Sequence, residues 1–577
     1  MTVTGRTARG GPEEGAGSRP LPGPVEETEV LIVGGGPVGL ALGLDLAWRG
    51  VRFVLVEAGD GRIGHPKVST VGPRAMELFR RWGVADAIRG AGWPPGHTLD
   101  VAWVTAVGGH ELHRLRFGTA AGRRPPAHTP EPEAICPQHW LVPLLTRRLG
   151  VRPDGPVRLG TRLTGFDRTP DGVRAALTDA AGARTTVRAR YLVGCDGAAS
   201  PVRKACGIVS PERHATRTLR NVLFRAPGLG ALLGGRAALV HFVTEPGGLR
   251  YPLRAMDGRD LYRLTCPPGP AEALRVVRRA LAVDVPVEIL SDADWHLTHR
   301  VAARYRDGRV LLVGDAAHAL SPSGGFGLAT GIGDAADLGW KLAAELAGWA
   351  GPGLLDAYET ERRPVALAGL EESHRNLRRT LDRRVAPALL EDSPRGEEAR
   401  AELGRRIAAS DPRREFDAPD AHFAHRYRSP LIAEAAPGDA EAGPKVAPRG
   451  PDGRDEPDWH RAAVPGGRAP HVWLAPGRST LDLFGRAFTL LRPEAVDAGD
   501  ADGAARAFAA RRVPLRVWSV PPGDEVRRRY GYPYVLVRPD GHVAWRGHRP
   551  PADPGALADL VRGAGPDTGG PPPEGGG

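Results

Sequence analysis

A short apolar run, Glu29-Val30-Leu31-Ile32-Val33, leads into Gly34-Gly35-Gly36-Pro37-Val38-Gly39, and a helix-compatible apolar pattern follows over residues 40–48. Strand, glycine turn and helix in that order constrain the fold more than any other stretch of the chain. Gly34 permits the tight turn, Gly36 lets the backbone approach a pyrophosphate, and Gly39 lets the helix pack close to the strand. Pro37 and Val38 open the helix, whose N-terminus offers free N–H groups and the positive end of its dipole. The next strand, residues 51–56, ends in Glu57, 21 residues beyond Gly36, the spacing at which a carboxylate receives adenosine ribose hydroxyls. The arrangement specifies a dinucleotide and leaves NAD and FAD open.

Two later segments narrow the choice. A second buried-strand run, residues 309–313, is followed by Gly314-Asp315-Ala316-Ala317-His318, by a proline and glycine loop over residues 320–331, and by a helix read from about residue 332 to 349. That helix carries Asp334-Ala335-Ala336-Asp337-Leu338-Gly339-Trp340-Lys341-Leu342. Between the two signals lies Tyr191-Leu192-Val193-Gly194-Cys195-Asp196-Gly197, running on to Arg203. With His65-Pro66-Lys67, Arg74-Ala75-Met76-Glu77, Gln138 and the stretch 358–364 (YETERRP), these segments resemble the class A flavoprotein monooxygenases. These are the aromatic hydroxylases related to para-hydroxybenzoate hydroxylase, and the likeness is greatest to their aromatic polyketide hydroxylase branch.

The resemblance implies an α/β fold: a Rossmann-like FAD-binding domain, an antiparallel substrate sheet and a C-terminal thioredoxin-like domain. It implies FAD as cofactor, NADPH or NADH as transient electron donor, and oxygen transfer to a phenolic, polyketide-type aromatic substrate through a C4a-hydroperoxyflavin. Lys67, Arg74 and Gln138 would lie near the FAD, Asp196 would serve both FAD and the nicotinamide, and Asp315 would hold a ribityl hydroxyl. Pro322, Gly324 and Gly325 would form the flavin-ring loop, with Gly327, Leu328 and Ala329 placing backbone N–H groups at the N1–C2=O edge, where reduction accumulates negative charge. Phe326 and Ala329 depart from the glutamine and asparagine common there. His318, Trp340 and Met76 read as structural. No metal is expected, since the cofactor carries the reaction. Baeyer–Villiger or rearrangement chemistry on the same scaffold is the alternative reading, and a catalytically silent polyketide-binding protein the third.

The remaining chain sets the organisation. Residues 1–24 and 564–577 are Gly/Pro-rich and read as tails without a secretory signal. Residues 25–204 and 300–375 are expected to form the FAD domain, 205–299 the substrate sheet, 376–458 a helical segment and linker, and 459–563 the C-terminal domain. Within the sheet, residues 237–243 and 260–265 read as strands with one solvated face; residues 99–107 alternate as well. Of 78 basic residues only Lys67, Lys204, Lys341 and Lys445 are lysine, and the arginines are scattered among carboxylates, so the net charge of +11 describes solvated faces rather than a nucleic-acid groove. Cys136, Cys195, Cys206 and Cys266 lack CxxC spacing and read as strand or strand-end residues, which argues against disulfides and zinc. None lies beyond residue 460, so the C-terminal domain has no thiol redox chemistry. No membrane span is expected, and the reading is of a cytoplasmic enzyme acting as a monomer or homodimer.

Overall fold

The computed structural model describes residues 25–67, 69–151, 155–246, 250–381, 385–433, 463–494, 498–521 and 525–565. The expected tails and most of the expected linker lie outside these. Among the described residues no helix is long and apolar enough to cross a membrane.

The Val25–Val33 strand lies between Arg184–Gly194 and Phe53–Val56, paired in parallel with both, and Val310–Leu312 adds to the far side of Arg184–Gly194. Val30, Leu31 and Ile32 are fully buried. A central parallel strand has helices over both faces, which is why the run is continuously apolar instead of alternating. The Pro37–Arg49 helix covers one face and packs against the Phe326–Ala347 helix.

A second, eight-stranded sheet runs through Glu288–Val301, Glu212–Arg225, Leu261–Cys266, Arg250–Ala255 and Val240–Thr244. It then takes Val101–Val104 and Glu111–Leu115 from an earlier part of the chain. Val240–Thr244 is buried at every position, not on one face only, because the Ala273–Leu281 and Pro394–Ala409 helices share its core. Cys206 ends the Pro201–Ala205 helix, not a strand, and all four cysteines are free thiols.

The C-terminal unit pairs Phe488–Pro493 in parallel with Leu515–Val520 and antiparallel with Tyr534–Val537, which returns through Val543–Gly547. Its 538–542 hairpin is driven into the first domain. Arg538, 0% exposed, donates to Glu361 at 2.6 and 2.8 Å, to Asp337 at 3.1 Å and to Asp540 at 2.7 Å. Lys341, equally buried, donates to Asp337 at 2.6 Å and Glu361 at 2.7 Å. Nearby, Arg468 grips Glu77 with two nitrogens.

Removing one partner of such a network strands the others. Arg538→Met should destabilise the chain by roughly 3–5 kcal/mol in denaturant unfolding, because buried carboxylates lose their cation. Glu77 gives a pH-dependent counterpart. Burial alone would raise its pKa, but Arg468 and Arg74 lower it from 4.5 to about 2. A depressed folded pKa stabilises above the unfolded value, so roughly 3 kcal/mol should be present above pH 4.5 and be lost as pH falls toward 2. Glu77→Gln should flatten that acid limb of a stability–pH curve.

Candidate functional site

Three turns meet at the carboxyl ends of the parallel strands, the crevice where open α/β sheets bind ligands. They are stitched together by backbone bonds: Gly34 N–H to Val56 O at 2.8 Å, Cys195 N–H to Val33 O at 2.7 Å, and Val313 N–H to Gly194 O at 3.0 Å. The fit is tight enough to require glycine. Gly34 has φ +110°, and a Cβ there would lie 2.3 Å from the Cys195 carbonyl oxygen; one on Gly39 would lie 2.0 Å from the Gly34 carbonyl. Gly314 and Gly331 close on Val38 in the same way, at 3.0 and 2.6 Å. Gly36, by contrast, has nothing within 4 Å of a built Cβ. Its open side faces out from the helix N-terminus, as a group approaching that backbone requires.

Glu57 accepts from Gly35 N–H through Oε2 and from Gly59 N–H through Oε1, each at 2.7 Å. It therefore holds the glycine loop as well as standing at the second strand end. Asp196 caps its own turn, accepting from Ser200 Oγ at 2.5 Å and Val202 N–H at 2.9 Å, and burial raises its pKa. Arg203, given no role by sequence, ties that turn to the next by donating to Ala316 O at 2.8 Å and Ala198 O at 2.9 Å. Asp315 is solvent-exposed yet densely surrounded. Its pKa is raised by burial and pulled back by His318 and Lys67, so the Lys67 ammonium shares its crevice. Gln138 accepts from Lys67 N–H at 3.0 Å and so fixes the segment that carries the lysine.

The Phe326–Ala347 helix begins six residues earlier than its sequence reading, directly after Gly324 (φ +102°) and Gly325 (φ +70°). Its first-turn N–H groups, on Phe326, Gly327 and Leu328, have no intrahelical acceptor, and no acid sits in that turn. Gly325 and Gly327 have nothing within 4 Å of a built Cβ, whereas Gly324 is crowded by the Phe326 ring. Pro322 O accepts from Gly325 N–H at 2.9 Å and closes the turn. Open glycines, free N–H groups on two helix starts and an exposed carboxylate between them suit a long, anionic dinucleotide, and FAD fits these residues.

Arg74 points elsewhere. It donates to Glu77 at 2.8 Å and toward Asp540 O at 3.4 Å, and lines a cavity of about 50 Å³ with Ala329, Arg362, His422 and Tyr427. Behind the site stands a hub that sequence reasoning passed over. Asp334 accepts from His318 Nε2 at 2.7 Å, Arg362 Nε at 2.7 Å and Gly314 N–H at 3.2 Å. Arg362 also donates to Thr330 O at 3.0 Å and Tyr427 Oη at 2.9 Å. His318 is thus a structural ligand of Asp334. The signal was an acid on the apolar side of the helix, with an arginine in the motif that follows.

Comparison with known proteins agrees with this geometry. Residues 27–373 match the FAD binding domain family, and residues 462–564 match the aromatic-ring hydroxylase C-terminal family. A putative polyketide hydroxylase of Streptomyces halstedii is 35% identical over 572 residues, covering 91% of this chain and 94% of its own. Aklavinone 12-hydroxylase of Streptomyces peucetius is 36% identical over 491 residues, covering 81% and 91%. Among solved structures, the rebeccamycin biosynthetic enzyme RebC with bound 7-carboxy-K252c superposes with a TM-score of 0.87 at 56% identity over 94% of this chain and all of that one. A ternary complex of aklavinone-11 hydroxylase with FAD and aklavinone gives 0.75 at 30% identity, covering 93% and 99%.

Asp315→Ala should weaken FAD binding at least about tenfold, the size of a lost hydrogen bond to a charged group. The flavin-free protein should melt unchanged, which separates ligand loss from misfolding in a fluorescence titration read beside a thermal scan.

Proposed function

The chain belongs to the FAD-dependent aromatic-ring hydroxylases, and on that premise we propose that it oxygenates a flat, polycyclic aromatic substrate bearing a carboxylate. Bound FAD supplies electron transfer from NADPH or NADH and the activation of O2. The protein supplies the rest: Glu57 and the 34–39 turn for the adenosine end, Asp315 for the ribityl chain, and residues 322–329 for the ring. The same reading places the enzyme in the cytoplasm, beside its nicotinamide supply, as a monomer or homodimer.

The observation that carries the substrate class is an arginine pair. Arg254 and Arg263 are direct cross-strand partners on adjacent antiparallel strands, so both guanidiniums leave the sheet on one face. Both reach the segment that carries Lys67. Arg254 donates to Ser69 Oγ at 2.7 Å, and Arg263 to Pro66 O at 2.6 Å and Lys67 O at 3.0 Å. Burial, then the neighbouring Arg254, pushes the Arg263 pKa down to about 10. Like charges directly opposite one another destabilise a sheet. Glu133 and Glu415 act on Arg254 through charge alone, and Glu133 is already paired with Arg123. An anion between them repairs that imbalance, and an aromatic carboxylate does so beside the flavin. The ligand named for RebC at 56% identity is likewise a carboxylated compound, which favours this class over a phenol without a carboxylate.

The test is direct. The purified protein should be yellow, consume NADPH or NADH faster when a carboxylated polycyclic aromatic is added, and release a product that has gained one oxygen atom from labelled O2. Substrate-independent oxidation, or no flavin in the pure protein, would overturn the reading. A lactone product would assign ring insertion instead. Arg263→Met should raise KM for the carboxylated substrate by about tenfold or more, the size of a charge-assisted contact. KM for its decarboxylated counterpart should move little.

A further inference from the structure

The Asp356–Leu381 helix sets Gly369, Ser373 and Asn376 on one face, the i, i+4, i+7 row. That face packs on the flavin-ring loop. A Cβ on Gly369 would stand 3.5 Å from Leu320 and 3.9 Å from Phe326, and one on Gly324 would stand 3.0 Å from Asn376 Nδ2. Ser373 turns back on its own helix, donating to Leu370 O at 2.8 Å. Asn376 does not. It is 0% exposed, and the two ends of its amide have unequal partners. Arg379 donates to Oδ1 at 2.7 Å, and because a guanidinium only donates, that contact fixes which end is oxygen. Nδ2 is left a donor without an acceptor, shut away from water. Such groups are rare in folded chains because each forfeits its full solvation.

The loop opposite has the freedom to answer it. Gly324 and Gly325 both hold positive φ, and the open side of Gly325 allows the turn to shift. Gly324, on which a built Cβ would lie 3.0 Å from Asn376 Nδ2, brings the backbone of this loop up to the donor.

We propose that Asn376 is a positioning residue for the flavin. When the ring lies on the open side of Gly325, a backbone carbonyl of residues 322–324 settles on Asn376 Nδ2, and that hydrogen bond holds the loop N–H groups against the ring. The inference rests on reading residues 322–329 as the flavin-ring loop. It assigns the Asp356–Leu381 helix a part in cofactor retention that its sequence does not announce.

The consequence is a split between stability and affinity. Asn376→Leu keeps the volume and removes the unmet donor together with the Oδ1 that accepts from Arg379, whose half-exposed guanidinium turns to water, so the flavin-free protein should melt close to the wild-type temperature. FAD titrated into the same flavin-free protein should bind about tenfold more weakly. Asn376→Asp keeps an acceptor for Arg379 and removes the donor, and should show the same loss of FAD affinity. A residue with a merely structural role would lower the flavin-free melting temperature along with the affinity, and that outcome overturns the proposal. So does FAD affinity within twofold of wild type in both variants, or a loss of substrate affinity with FAD binding intact. Wild-type protein that takes up no FAD would instead sink the underlying reading of the loop, and this inference with it.

Discussion

The charge buried around the Phe326–Ala347 helix has to close, and the architecture is arranged so that it does. Asp334, Asp337, Glu361 and Asp540 meet Lys341, Arg362 and Arg538, all at most 5% exposed. Four carboxyls against three permanent cations would leave a buried anion, at a penalty of several kcal/mol. The strain falls unevenly: burial pushes the Asp337 pKa well upward, while Arg538 and Lys341 outweigh burial at Glu361 and lower its pKa. The cations come from the helix itself, from the next helix and from the C-terminal hairpin. No one of these segments can be neutral without the other two. The C-terminal unit is therefore part of the cofactor domain's electrostatics, which accounts for its presence without any thiol chemistry.

The same helix also decides how near the ligand the backbone can come. Three of its glycines, and Gly324 just before it, face neighbours that leave no room for a side chain or force it to shift: Gly331 toward Val38, Gly333 toward Arg362 at 2.8 Å, Gly339 toward Asp45 at 2.0 Å, and Gly324 against Phe326. Close approach on one side and paired charge on the other fix the helix along its length. The N-terminal turn, which we propose faces the flavin, is left as its least constrained end, which suits a loop that must follow a ring.

What could be read from sequence divides along the same line. The strand, turn and helix of residues 29–48 were legible because each glycine there answers a local demand. The fold class and the dinucleotide followed from them. The helix start at Phe326 was not, since the glycines of residues 324–331 read as a loop by propensity; Gly324 and Gly325 do form the turn, but Gly327 and Gly331 are helical, Gly331 packing on Val38. Val240–Thr244 read as half-solvated because alternation cannot show that a helix will cover its second face. Asp334, Arg362, Arg203 and Asn376 were missed for a related reason: their partners lie far along the chain, and a buried acid carries no mark of the arginine that meets it. Lys341 and Arg362 stood inside recognised motifs, but the motif names a neighbourhood and not the bond.

Arginine is the residue that exposes the difference between structure and site. Arg362, Arg468 and Arg538 are each met by a carboxylate within hydrogen-bonding distance, and their positive charge is spent inside the fold. Arg254 and Arg263 stand opposite each other across two strands and reach only hydroxyl and carbonyl oxygens. Those acceptors are neutral, and among the described residues Arg263 Nε has none and only Glu133 and Glu415 offset the charge, on Arg254 and without a hydrogen bond. In a chain that otherwise pairs its buried charges directly, two adjacent guanidiniums with no directly bonded carboxylate leave room for one. They face the segment that carries Lys67, which shares the Asp315 crevice, and this position is what supports the proposal of a substrate carboxylate as their partner.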